Sequence, residues 1–231
     1  VLSSRWRVWA GMACLVVGSL AELAQYLATP VSPGGNAADQ VAHAAAHPAA
    51  MRLALALDVP LVLVIPAALY VGLVAGARRS RLAAAGTVLA FLPAVAAEFL
   101  LAGDALLYEA SRSPDRAAAV SLVRAYYDNG VLSGLTLLYL AGHVLGYVLL
   151  AVALWRSGAV PRLAALALGL SPVVEFLGVG SDVKAIGALG YALRAAAFLV
   201  CATRLPGLRT HDDQPKPAVA PPVAQAIPAS H

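Results

Sequence analysis

Six ionisable side chains stand inside stretches that are otherwise apolar: Glu22, Asp58, Glu98, His143, Glu175 and Arg194. On insertion scales a charge at the middle of an apolar helix costs about 2.5–3.5 kcal/mol. The four acids and the arginine facing lipid would together lose more than about 10 kcal/mol on that scale, as much as a whole domain's stability. They must therefore face one another, face water, or be neutral. Buried groups of this kind either pair as packing glue or act as ligand, proton or acid-catalysis sites.

Their spacing sharpens the expectation. At 1.5 Å per residue, Glu22, Asp58, Glu98 and Glu175 each fall roughly 6–12 Å from the same end of their helices, with His143 and Arg194 nearer the middle at roughly 14–18 Å. On the first helix Gly11, Gly18, Glu22 and Gln25 share one stripe; on the fourth, Thr136, Tyr139, His143, Gly146 and Tyr147 do; on the sixth, Gly187, Gly190, Tyr191 and Arg194 do. Small residues beside polar ones let helices approach closely, so these stripes are expected to face a common axis. The expected ligand-binding set is Glu22, Asp58, Glu98, Tyr139, His143, Glu175, Tyr191 and Arg194, lining a carboxylate-rich cavity in the outer half of a bundle.

Three functions fit such a layer: a structural or ligand-binding membrane protein taking a small or lipophilic ligand or protons, a small transporter with His143 as its deepest relay point, and a membrane-embedded enzyme. In the enzyme, Asp58 or Glu98 would be the general acid on an apolar, terpene-like substrate. Tyr139 and Tyr191 would line the ring or stabilise a cation.

The elements that carry these residues follow from composition. The chain has 231 residues, 61% apolar and 12% charged, against roughly 45–50% and about 25% in a soluble domain. So little charge cannot coat a soluble globule of this size, which argues against a cytosolic enzyme, a nucleic-acid reader and a disordered protein. A bilayer core of about 30 Å needs about 20 apolar residues of helix. Six runs meet that need, at 6–27, 53–76, 83–107, 131–154, 163–180 and 185–203. The expected fold is an all-α polytopic bundle over residues 1–204, followed by a Pro-rich, disordered cytoplasmic tail at 205–231. The first run, with Glu22 and Gln25 near its end and no clean small-x-small cleavage site, reads as a span rather than a signal peptide. Prolines 60, 66, 93 and 172 are expected to kink helices around the polar layer.

Basic residues set the orientation. On the side of the first residues lie Arg5, Arg7, Arg78, Arg79, Arg81, Arg156, Arg162, Arg204, Arg209 and Lys216. On the other lie Arg52, Arg112, Arg116, Arg124 and Lys184, and Arg194 is inside the sixth run. The ten-to-five bias puts both termini in the cytoplasm of a cell-membrane protein with lipids as partners.

Two weaker signals complete the reading. Asp39, His43 and His47 at i, i+4, i+8 would share one face of a helix and could hold a divalent metal such as zinc, given a further ligand. The other outside loop, carrying Asp104, Glu109, Asp115, Arg116, Arg124 and Asp128, reads as a solvated connector, with Ala117 to Tyr127 able to pack as a lid. A repeat also suggests itself, because Glu22, Glu98 and Glu175 are 76 and 77 residues apart, one per helical hairpin. Phosphate loops, zinc-protease helices and nucleophile elbows are not written in the chain.

The stretch Gly142-His143-Val144-Leu145-Gly146-Tyr147 through Leu154-Trp155-Arg156-Ser157-Gly158-Ala159-Val160-Pro161, with Ala46-His47-Pro48 through Leu55-Ala56-Leu57-Asp58, resembles the bacterial integral membrane family known as domain of unknown function 4386. The most specific piece is the Leu-x-Arg-Ser-Gly-x-x-Pro turn. The resemblance covers residues 6–204 and implies a polytopic membrane protein; it implies no chemistry.

Overall fold

The computed structural model describes residues 5–31, 35–76 and 80–209. Among these residues every regular element is helical and none is a strand. Five helices are long and apolar enough to cross a membrane: Arg5–Ala28, Arg81–Ser111, Gly130–Ser157, Arg162–Gly180 and Lys184–Gly207. A bent pair, Pro48–Leu61 and Val64–Val74, makes a sixth crossing if counted as one. By length and composition these helices are those of a multi-pass membrane protein.

The first crossing is α1 (Arg5–Ala13), a π turn (Cys14–Gly18) and α2 (Ser19–Ala28) in continuous register. Ser19 Oγ donates to the Leu15 carbonyl at 2.5 Å, supplying a donor where the wider turn disturbs the helical ladder. Next come α3 (Ala37–Ala46), α4 (Pro48–Leu61) and α5 (Val64–Val74). The run expected at 53–76 is built as two helices, α4 starting earlier at Pro48 and α5 ending at Val74, bent by 41° at the break between them. The cause is local: Pro66 has no N–H for the Val62 carbonyl, and the chain substitutes tighter bonds, Leu63 N to Pro60 O at 3.2 Å and Ile65 N to Val62 O at 3.1 Å. Gly18 sits against this break, where an added Cβ would lie 2.8 Å from the Leu63 carbonyl carbon.

The remaining helices are α6 (Arg81–Ser111), α7 (Arg116–Tyr127), α8 (Gly130–Ser157), α9 (Arg162–Gly180) and α10 (Lys184–Arg204). Pro93 and Pro172 lie within continuous helices, unlike the pair at the break. Ser171 Oγ donates to the Leu168 carbonyl at 2.8 Å, the acceptor that Pro172 leaves without its helical N–H. At Gly146 an added Cβ would lie 2.5 Å from the Leu89 carbonyl carbon, so α6 and α8 touch backbone to backbone.

The outer surface of the bundle is apolar, and its few charged side chains at membrane depth are turned inward. Leu163 is 79% exposed and Val59 75%, while Arg194 is 0% and Glu175 1% exposed. We call the end carrying α3 and α7 distal and the opposite end proximal. The proximal half holds the apolar core, including Leu15, Val71, Leu150, Leu154, Leu168 and Phe198. At the distal end α3 and α7 close over α4 and α6 through Val41, Ala44, Met51, Leu107, Ala110, Ala119 and Val123.

Leu205 is fully buried in the proximal core, so the bundle runs past the expected boundary at 204. Beyond it only the short helical turn Leu205–Arg209 is described. The expected disordered tail, and Arg78, Arg79 and Lys216 of the charge tally, fall outside the described residues.

Candidate functional site

Helical periodicity brings the fourth- and sixth-run stripes together with Glu22 and Glu175. Arg194, on α10, is the hub. Its Nε donates to Glu22 Oε2 at 3.0 Å and its Nη2 lies 2.7 Å from Glu22 Oε1, a two-pronged grip on α2. Its Nη1 donates at 2.7 Å to Glu175 Oε2 on α9 and lies 2.7 Å from His143 Nε2 on α8. The remaining Glu175 oxygen accepts from the Tyr139 hydroxyl at 2.9 Å. Three of the four carboxylate oxygens thus accept a hydrogen bond, and the fourth, Glu22 Oε1, is held by charge beside Arg194 Nη2, a buried nitrogen that makes no hydrogen bond.

A guanidinium only donates, so its approach assigns Nε2 of His143 as an acceptor and the ring as neutral, with its proton on Nδ1. The 3.4 Å separation of His143 Nε2 from Glu175 Oε2 is then a contact rather than a hydrogen bond. In this arrangement the basic nitrogen expected to relay protons is occupied by Arg194.

Aromatic faces enclose the hub. The guanidinium carbon lies 4.8 Å from the Tyr191 ring centre and 5.6 Å from that of Tyr147. Tyr26 stacks on Tyr191 at 4.6 Å, and Tyr139 and Tyr147 each lie 4.8 Å from the His143 ring. The approach of α9 and α10 depends on Gly190, where an added Cβ would lie 2.7 Å from the Glu175 Cα.

One helical turn beyond Glu22, Gln25 opens a second group with different chemistry. Its Nε2 donates to Asp104 Oδ2 on α6 at 2.9 Å. Asp58, on α4 one turn before the break, lies beside Gln25 and within electrostatic reach of Asp104 and Glu98. Its Oδ1 is cut off from solvent and has no hydrogen-bond partner. Glu98 is also within reach of Glu22, so the two groups form one layer.

The structure therefore divides the expected set. Glu22, Tyr139, His143, Glu175, Tyr191 and Arg194 gather at the hub, whereas Asp58 and Glu98 belong to the second group. The aromatic rings expected beside the candidate acids surround Arg194 instead. The three glutamates of the suggested repeat do not share one role: Glu22 and Glu175 hold Arg194, and Glu98 does not.

Asp104, expected in a solvated connector, is placed differently. It lies inside α6, and the apolar residues on both sides of it (Leu100, Leu101, Ala105 and Leu106) were the overlooked signal. Tyr126 on α7 donates from its hydroxyl to the Phe99 carbonyl at 3.2 Å, and its ring lies over Gly103 beside Asp104.

Asp39 and His43 lie on α3, and His47 is the residue that ends it, with φ −128° and ψ 56°. His43 Nδ1 is 2.8 Å from the Asp39 carbonyl, and His47 Nδ1 is 3.0 Å from the His43 carbonyl. Asp39 Oδ2 accepts from Asn36 at 2.5 Å. Among the described residues no group of three His, Cys, Asp or Glu side chains is placed to hold a metal.

No family model matches the chain, and neither a curated protein nor a solved structure matches it.

Proposed function

We propose that this protein is a six-span protein of the cell membrane, both termini cytoplasmic, that binds protons and a small cationic or amphipathic ligand in its polar layer. The orientation rests on charge. Arg5, Arg7, Arg81, Arg156, Arg162 and Arg204 sit at the proximal end, and all three tryptophans, Trp6, Trp9 and Trp155, join them there. Counting the bent α4–α5 pair as one crossing is favoured because its two halves turn by only 41° and continue in the same direction.

The ligand reading rests on the buried Asp58 oxygen with no partner. A carboxylate oxygen left without a donor in a low-dielectric site is costly, and a proton or a ligand cation removes that cost. The neighbourhood supplies acids (Asp104 and Glu98) and an amide (Gln25), but Arg194 is committed to Glu22 and Glu175.

The test uses the full chain in lipid nanodiscs with tetraphenylphosphonium as the probe. The wild type should bind the probe with release of protons. Asp58→Asn should lose both signals, and Asp115→Asn, on the exposed start of α7, should keep them. Absence of binding in the wild type, or unchanged binding in Asp58→Asn, overturns the proposal.

A further inference from the structure

The proximal face carries an unusual charge distribution. Twelve acids occur in the chain; apart from Asp212 and Asp213 in the tail, the other ten lie in the distal half or beyond it. The described proximal residues therefore contain seven arginines and no acid.

The turn between α8 and α9 concentrates this charge on a rigid frame. Gly158 takes the left-handed conformation (φ 64°) and its N–H closes on the Leu154 carbonyl at 3.1 Å. Val160 is buried as an anchor, while Trp155, Arg156, Ser157 and Arg162 remain exposed. The Arg162 guanidinium carbon stands 5.3 Å from the Trp155 ring centre, which sets an indole beside a cation at the belt depth.

Helix α9 begins here without a capping side chain, because its N-cap is Pro161. Its first bonded amide is Ala164 N, to Pro161 O at 2.9 Å. The amides of Arg162 and Leu163 therefore point out of the helix start toward the headgroup region, in the same turn as the exposed Arg156 and Arg162. Leu163, the most exposed large apolar side chain, extends from the same point and would lie among acyl chains.

We infer that the α8–α9 turn is a binding site for the phosphate headgroup of an anionic phospholipid in the cytoplasmic leaflet, held by Arg156, Arg162 and the uncapped start of α9, with Trp155 and Leu163 against its glycerol and chains. The inference rests on the membrane orientation proposed above and is independent of the Asp58 ligand. The occupant is a lipid rather than free phosphate because the basic groups are flanked by exposed apolar side chains that a free ion would not use. It also gives a role to the Leu-x-Arg-Ser-Gly-x-x-Pro turn, which the polar layer leaves unexplained.

The experiment measures lipid retained on the full chain by native mass spectrometry after exchange into mixed phosphatidylglycerol and phosphatidylcholine, with inorganic phosphate as competitor. The wild type should retain phosphatidylglycerol preferentially, and excess phosphate should not displace it. Each arginine near the surface is worth about fivefold in occupancy. The Arg156→Gln, Arg162→Gln pair should therefore lose most of the preference, and the distal pair Arg52→Gln, Arg124→Gln should keep it. Equal retention of the two lipids overturns the inference, as does displacement by phosphate or an undiminished preference in the Arg156, Arg162 variant. Orientation is read separately, from protease access to the two faces in sealed vesicles.

Discussion

Around Arg194 every oxygen of Glu22 and Glu175 has a hydrogen bond or a guanidinium nitrogen at 2.7 Å, and the buried atom without a hydrogen bond is a cationic nitrogen beside a carboxylate, whereas around Asp58 a buried carboxylate oxygen meets no donor. Both groups lie at similar depth in the same bundle and share α2, which contributes Glu22 to one and Gln25 to the other. The difference is the presence of a cation. A guanidinium with its donors spread over two carboxylates and an imidazole ties α2, α8, α9 and α10 into one unit, its Nη2 held to Glu22 by charge at 2.7 Å without a hydrogen bond. The Asp58 group has an amide as its bridging donor and stays electrostatically incomplete. One part of the layer has the character of a lock, and the other that of a site.

The largest effect expected from breaking this contrast is at the hub. Arg194→Leu strands two carboxylates in a low-dielectric interior and should cost about 3–5 kcal/mol, read by denaturant unfolding in detergent micelles. Gly190→Ala pushes a Cβ into the Glu175 backbone and should cost about 1–3 kcal/mol in the same assay. Tyr139→Phe leaves Glu175 Oε1 without its hydroxyl donor and should cost about 1 kcal/mol. Asp58→Asn should cost less than about 0.5 kcal/mol, or stabilise, because it removes a carboxyl that the fold does not satisfy. An Asp58→Asn loss as large as that of Arg194→Leu would erase the distinction between lock and site.

Much of the hub could be read from residue types. A charge inside an apolar run can only turn inward, and spacings of three and four residues put Tyr139, His143 and Tyr147 on one face and Gly190 and Arg194 on another. The partners of Arg194 were not readable, because hydropathy does not say which helices are neighbours. Glu98 looked equivalent to Glu22 and Glu175 in sequence, yet α6 packs against α8 and α4 in a way that keeps it from the guanidinium. Asp104 lies inside the expected run at 83–107, and only its charge, three residues from the end of that run, groups it with the polar loop that follows; the helix continues to Ser111. The prolines at 60 and 66 signalled a disturbance, but not that the span would break while Pro93 and Pro172 were absorbed. The π turn at Cys14–Gly18 had no signal in the residue pattern.

The central claim is that one layer holds a saturated ion network and an unsaturated acid site. Dicyclohexylcarbodiimide, a lipophilic reagent that couples to protonated carboxyls, tests it directly when the labelled positions are mapped by peptide mass spectrometry. The account predicts labelling at Asp58 or Asp104, protection there by tetraphenylphosphonium, and no labelling at Glu22 or Glu175. Labelling of Glu22 and Glu175 at the same rate as Asp58 would contradict it.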